Sequence, residues 1–364
     1  MKISNEEQKR SAEFFVKEIR RLTNRPLRLM EVCGTHTVAI FKSGIRQLLP
    51  CEVELISGPG CPVCVTPNDY LDMAIAYSRQ KDTIITTFGD MLKVPGSTSS
   101  LAAEKAEGRD IRVVYSPLES LDIAAGNLDK KVIFLAVGFE TTAPTAAATV
   151  LEAERKMLRN FYVLSAHKRV PPALNALCAA DDITLDGLLL PGHVSAIIGE
   201  QAYAFLSERF SVPAVIAGFE ALDILQAVYF LVKQIREGKA AVENQYRRIV
   251  KPEGNVAARN ILSQVYEEDD AVWRGIGLIN FSGLKVNAKY RRFDAEESIP
   301  VEVEPTVEPR GCRCGEVLRG VAKPFECSLF GDICRPEQPV GSCMVSVEGA
   351  CAAWYRYGTG RWQI

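Results

Sequence analysis

Short apolar, β-branched runs recur along the chain, and each ends at a Gly, Ser or His turn that leads into a helical stretch. Leu27–Val32 precedes Cys33-Gly-Thr-His36, Val53–Ile56 precedes Ser57-Gly-Pro-Gly60, and Thr83–Thr87 precedes Phe88-Gly-Asp90. The series continues with Val132–Val137 before Gly138-Phe-Glu140, Tyr162–Leu164 before Ser165-Ala-His167, Leu188–Leu190 before Pro191-Gly-His193, and Ala214–Ala217 before Gly218-Phe-Glu220. Runs of this kind read as buried-type strands, and strands alternating with helices imply parallel sheets of the α/β class. The Gly-Phe-Glu triplet occurs twice, each time directly after such a strand, which hints at a duplicated βα element.

Asn127-Leu-Asp-Lys-Lys131 is a polar break before a fresh strand, so the pattern predicts a first α/β domain over 26–125 and a second over 126–225. From about residue 226 the character changes. Ala227–Glu237 and Gly238–Val250 read as helices, and Val301-Glu-Val-Glu-Pro305 as a polar connector. Six cysteines and six glycines then fall between Pro309 and Cys351. Such a segment buries little apolar surface but can wrap a metal centre, and residues 1–25 with 226–364 are expected to form a third, helical or irregular domain.

Length agrees with more than one core, since 364 residues exceed the ~250–300 at which single cores stop growing. With 47% hydrophobic residues and a net charge of −2, the chain has ample core material and no basic field, which disfavours nucleic acid as a partner. The first ten residues are polar where a signal peptide needs an apolar core, and no run approaches the ~18 apolar residues of a membrane span. The expectation is a soluble, cytoplasmic protein. Eleven cysteines in a reducing compartment point to metal or redox chemistry rather than structural disulfides.

Cys312, Cys314, Cys327, Cys334, Cys343 and Cys351 are spaced C-x-C-x₁₂-C-x₆-C-x₈-C-x₇-C, two thiols more than a cubane cluster requires. Zinc is the rival, but zinc sites usually carry paired CxxC or HxxxH knuckles, and this segment has neither. The reading is a 4Fe–4S cluster.

Gly58-Pro-Gly-Cys61-Pro-Val-Cys64 sets a CxxC between a predicted strand and helix, where helix-terminal amides stabilise thiolate at the first cysteine and favour dithiol–disulfide exchange. Half of a zinc site, or two passive thiols, is the alternative. Glu31-Val-Cys33-Gly-Thr-His36-Thr37 is a second strand-to-helix turn: a thiolate at Cys33, with His36 within a turn, could hold a soft metal ion at the crevice beyond the strand's carboxyl end. The bland alternative there is a buried Cys beside a capping Thr. His167, His193, Glu140 and Glu220 also stand at strand ends and are candidates to converge on one cleft. Cys51 and Cys178 have no cysteine neighbours at motif spacing and read as packing residues. No phosphate-binding G-x-x-x-x-G-K-[ST] loop, G-x-G-x-x-G turn after the first strand, or G-x-S-x-G elbow is present.

Together, Cys33-Gly-Thr-His-Thr37, Gly58-Pro-Gly-Cys-Pro-Val-Cys64, Thr87-Phe-Gly-Asp-Met-Leu92, Gly138-Phe-Glu-Thr-Thr-Ala143, Leu190-Pro-Gly-His-Val194 and the run Cys312 to Cys351 resemble the HypD family of [NiFe]-hydrogenase maturation proteins. The resemblance covers residue 15 or so to the C-terminus. It implies two Rossmann-like α/β domains with parallel sheets plus a third, Cys-rich iron-sulfur domain.

The implied role is a maturation scaffold with internal redox chemistry rather than a conventional turnover enzyme. With a HypC-type chaperone it would hold iron, receive cyanide from HypE with HypF upstream, acquire CO, and pass the Fe(CN)₂CO unit to the hydrogenase large-subunit precursor. Cys33 would help ligate that iron with His36 close by, Cys61 and Cys64 would be the redox pair, and Cys312, Cys327, Cys334 and Cys351 would bind the 4Fe–4S cluster. That leaves Cys314 and Cys343 as a second thiol pair. The competing reading is an oxidoreductase of the ferredoxin-dependent thiol-reductase type.

Overall fold

The computed structural model of the chain describes residues 5–358. All seven predicted strands form at the apolar runs. In chain order the strands are β1 (Leu27–Glu31), β2 (Val53–Ser57), β3 (Thr83–Thr87), β4 (Ile111–Val113), β5 (Lys131–Gly138), β6 (Phe161–His167), β7 (Gly187–Pro191), β8 (Ala214–Ala217) and β9 (Val242–Asn244). The short β4 and β9 carry too few apolar residues to signal a strand by pattern.

Two parallel sheets result, ordered β2-β1-β7-β8-β9 and β4-β3-β5-β6. The fold is therefore α/β with parallel sheets, as the alternation predicts. The strands, however, do not divide at residue 125. The chain builds β1 and β2, leaves to make the whole four-stranded sheet, and returns to add β7, which pairs with β1 (Glu31↔Leu189). The polar break at 127–131 is a crossover inside the second sheet, where β3 pairs with both β4 and β5. Strands of both sheets carry the same apolar signature, so nothing local says which strand each will join.

Helix Ala221–Arg236 illustrates how local signals and packing agree. Glu220 and Asp223 form a capping box, Lys233 and Arg236 complement the dipole at the last turn, and Gly238 with φ +65° ends the run. Its buried face (Ile224, Leu225, Val228, Leu231, Val232) covers the first sheet, each such side chain contributing about 1.5–3 kcal/mol. An acid at Val228 would break that face. Beyond Gly238 the predicted helix over 238–250 does not form. Gln234 bonds the Ala241 amide instead and leads the chain into β9.

The amphipathic helix Asn5–Leu22 packs on the outer side of Ala221–Arg236, with Phe15 against Tyr229 and Ile19 in a cluster with Leu27 and Val228. It thus belongs with the five-stranded sheet rather than with the cysteine-rich segment, because its apolar stripe matches that helix. A hairpin of β10 (Tyr266–Trp273) and β11 (Gly277–Val286) lies against the second sheet, Lys168 bridging to Gly283. The largest apolar cluster joins Met30 and Leu188 of one sheet, Ile85 and Leu135 of the other, and Cys343, Met344 and Cys351 of the C-terminal segment. The cysteine-rich segment is thus wedged into the core shared by both sheets.

Candidate functional site

β1 and β2 are adjacent and parallel, Glu31 opposite Ser57, so the two cysteine loops that follow them leave the sheet side by side. Main-chain bonds lock them together: Gly34 N–H donates to Gly60 O (3.0 Å) and Gly58 N–H to Glu31 O (2.9 Å). A Cβ at Gly60 would run into the Cys33 backbone, which is why glycine stands there. Beneath the loops, the fully buried Glu31 carboxylate accepts from Ser57 Oγ (2.9 Å) and pairs with Arg46 (3.2 Å). Burial nevertheless pushes the Glu31 carboxyl up, against the pull of Arg46 and Ser57.

Cys33 is the residue before helix Gly34–Lys42, with extended backbone (φ −151°, ψ 124°), as a helix-starting position requires. The amides of His36 and Thr35 do favour its thiolate, as expected from the helix terminus, but burial outweighs them and pushes the thiol to about 11. The expectation of a thiolate in the free chain is corrected: burial, the alternative weighed for this turn, keeps the side chain a thiol. His36 is fully buried, its Nε2 2.9 Å from Gly218 O and 3.2 Å from Ala217 O. Two carbonyl neighbours require the proton on Nε2, leaving the Nδ1 lone pair without a partner. Burial lowers this imidazole to about 4, so it is neutral at pH 7.

The second Gly-Phe-Glu triplet has a role that the sequence reading missed. Phe219 is flanked by His36 (4.7 Å) and the exposed His193 (4.0 Å), while Glu220 caps its own helix. Glu140 of the first triplet is buried; one oxygen accepts from Val170 N–H (2.8 Å) and the other has no partner, and burial raises the carboxyl to about 7. His167 lines a separate cleft formed with the hairpin. The expected convergence of the four strand-end groups is thus not realised for His167. Glu348 also went unread: Thr35 donates to it (2.6 Å), tying the first cysteine loop to the C-terminal segment.

Cys61 is the cap of helix Pro62–Val65 and accepts from Cys64 N–H (3.3 Å). Cys64 is fully buried under the C-terminal segment, whose Ser342 donates to Cys64 O (3.0 Å). Burial drives the Cys64 thiol well up, offset in part by the neighbouring Cys343 thiol. Cys343, also fully buried, has the thiols of Cys314, Cys351 and Cys64 as neighbours, and its N–H donates to Cys314 Sγ (3.3 Å). Cys314 continues to Cys312. The thiols thus form a line Cys61–Cys64–Cys343–Cys314–Cys312 through the core.

Cys312, Cys314, Cys327, Cys334, Cys343 and Cys351 line one small pocket with Leu329, Phe330 and Met344. Val340 N–H donates to Cys334 Sγ (3.3 Å). Among the described residues, no group of three or more His, Cys, Asp or Glu side chains is placed to hold a metal ion, and all eleven cysteines are free. Away from this pocket, Cys178 is half-buried, in keeping with a packing residue, but Cys51 is exposed beside Glu52, so its expected packing role is not met.

The class is thus an α/β protein of two parallel sheets that share a core with a cysteine-rich C-terminal segment. A family model described as "HypD: Hydrogenase formation hypA family" matches residues 10–358. Similar proteins include "Hydrogenase maturation factor HypD" of Azotobacter vinelandii, 47% identical over 344 residues, covering 93% of this chain and 91% of the relative. Another is "Hydrogenase maturation factor HypD" of Escherichia coli (strain K12), 48% identical over 335 residues, 92% of this chain and 90% of the relative. The chain belongs to the HypD family. Among the described residues, no helix is long and apolar enough to cross a membrane.

Proposed function

We propose that the chain serves hydrogenase maturation as an assembly scaffold with internal redox chemistry. Relatives that share nearly half its residues over almost its whole length are named for that process. The observation that carries the reading is the contact between Cys64 and Cys343, which couples the CxxC to the C-terminal thiols.

Cys312, Cys327, Cys334 and Cys351 are assigned as the thiolates of a 4Fe–4S cluster. Four sulfurs around one apolar pocket, with a main-chain N–H on Cys334, suit such a group. When bound, it supplies single electrons. Cys314 with Cys343 and Cys61 with Cys64 then act as dithiols. Each pair loses two S–H bonds, forms one S–S bond, and releases two electrons and two protons. Two electrons and one proton cleave the S–C bond of a thiocyanate-type donor to thiol and cyanide, the delivery assigned here to HypE with HypF upstream.

Iron is the cargo. Two cyanides and one CO occupy three of six positions, Cys33 contributes one thiolate, and a HypC-type chaperone completes the set before transfer to the large-subunit precursor. Binding of a metal by Cys33 removes the thiol proton that burial retains in the free protein.

Infrared spectra of the anaerobically co-purified complex test this assignment. Bands of cyanide and CO on iron are expected, and Cys33→Ala should remove them while leaving the 4Fe–4S signal and the fold unchanged. Bands that persist would move the iron site to Cys61 and Cys64.

A further inference from the structure

Phe281 is presented to solvent in a way that local forces oppose. It lies in β11 with a left-handed backbone (φ 55°), rarely adopted by bulky side chains, and is 62% exposed. Leu278 and Val272 on the same hairpin are exposed as well. The conformation is held from several sides. Phe281 N–H donates to Asp270 Oδ1 (2.9 Å), and Arg169 donates to Phe281 O (2.7 Å) while pairing with Glu268 (2.6 Å). Opposite, the β10 ladder is irregular between Asp269 and Ala271, a bulge of the type that re-aims side chains at functional edges. Strain retained by this many contacts points to a function for the strained residue.

Next to Phe281 opens a cleft of about 370 Å³, lined by Asp270 and Gly283 of the hairpin and by the end of β6. Six carboxylates line it, Asp69, Asp269, Asp270, Asp294, Glu296 and Glu297, against Lys168 and Lys285. Lys285 is taken by Glu297 (3.1 Å). Lys168 is 6% exposed, and among the described residues it has no carboxylate within salt-bridge distance. His167 beside it is 2% exposed with Nδ1 unpartnered. The exposed run Glu267–Asp270 extends the negative surface along the hairpin.

We propose that Phe281 and the adjoining acidic cleft form a docking site for a partner protein, which buries Phe281 in an apolar pocket and inserts a Lys or Arg side chain into the cleft. Charge complementarity selects this occupant. An excess of carboxylates repels nucleic acid and anionic lipid headgroups and draws a cationic side chain, while a fixed exposed aromatic is the usual anchor of a protein interface. No cysteine lines this cleft, and its test needs no redox readout, so its failure leaves the proposed function standing.

The test places a photo-reactive phenylalanine analogue at position 281 of the full chain in its host and maps the adduct by mass spectrometry. A cross-link into another protein beside a Lys or Arg is expected. Asp269→Lys should weaken that complex at least about tenfold, and reversing the partner's basic residue to Glu should restore it. Phe281→Gly should weaken it similarly while leaving the melting temperature unchanged or raised, because glycine relieves the left-handed strain. The proposal is overturned by no adduct, by an adduct only to a second copy of this chain or to lipid, by indifference to Asp269→Lys, or by a complex that survives Phe281→Gly.

Discussion

The thiols of Cys64 and Cys343 are neighbours in the fully buried centre of the molecule, where the loop after β2 meets the C-terminal segment and Ser342 donates to Cys64 O (3.0 Å). Removing Cys61 and Cys314 takes away the dithiol partner assigned to each, and leaves Cys351, assigned to the cluster, as the other thiol beside Cys343. The double variant Cys61→Ser/Cys314→Ser is therefore expected to form a Cys64–Cys343 disulfide under mild oxidation. Non-reducing peptide mapping reads it directly. Failure to form, while the unaltered chain readily forms Cys61–Cys64, would mean the two halves of the proposed electron path are not connected.

The C-terminal pocket should depend on its four assigned ligands. Replacing Cys327 or Cys334 with Ala is expected to abolish visible absorbance and to lower the melting temperature by several degrees, since metal binding and local folding are coupled in a segment with few apolar residues. Iron assay and thermal melts check this. Normal iron content in both variants would show that other thiols hold the cluster.

Glu140 predicts a pH effect of definite sign. Burial holds its folded carboxyl near 7, above the ordinary value of 4.5. The folded state retains a proton that the unfolded chain has already lost, so its contribution to stability falls as pH rises from about 4.5 to 7. Over that window the loss is on the order of 3 kcal/mol. Glu140→Gln, neutral at every pH, should be more stable than the parent at pH 8 and near parity at pH 4.5. Denaturant midpoints at the two pH values decide it; an equal gap at both would mean that the carboxyl is not protonated in the fold.

Gly60→Ala should separate the two cysteine loops. The added methyl meets the Cys33 backbone, and over-packing of this kind costs about 1–3 kcal/mol. Besides a lowered melting point, Cys33 should be alkylated faster by iodoacetamide, because its burial depends on that contact. Unchanged alkylation would show that something else shields the sulfur.

The strands, the turns that end them and the residues of the cysteine motifs were legible because each is a local pattern. Apolar β-branched runs signal buried strands at any place in a chain, and a CxxC or a C-terminal thiol array is visible by spacing alone. Thr83–Thr87 forms at the bounds predicted for it, and Leu188–Leu190 lies within its strand. Residues 238–250 failed as a helix because a left-handed Gly238 and the Gln234 side chain redirect the chain, an effect of three-dimensional neighbours that periodicity does not register.

Pairing is what local pattern leaves open. β1 joins β7 across the whole second sheet, and strands of both sheets are rich in apolar residues; the choice rests on which arrangement buries both faces. The state of Cys33 followed the same rule. Two helix-terminal amides favour thiolate, and these were readable from the turn, but the sign of the net effect is set by desolvation, which depends on residues up to Glu348 closing over the loop. The meeting of Cys64 with Cys343 belongs to the same class, since two thiols in separate motifs become neighbours only when the C-terminal segment wedges between two sheets and their common core excludes water.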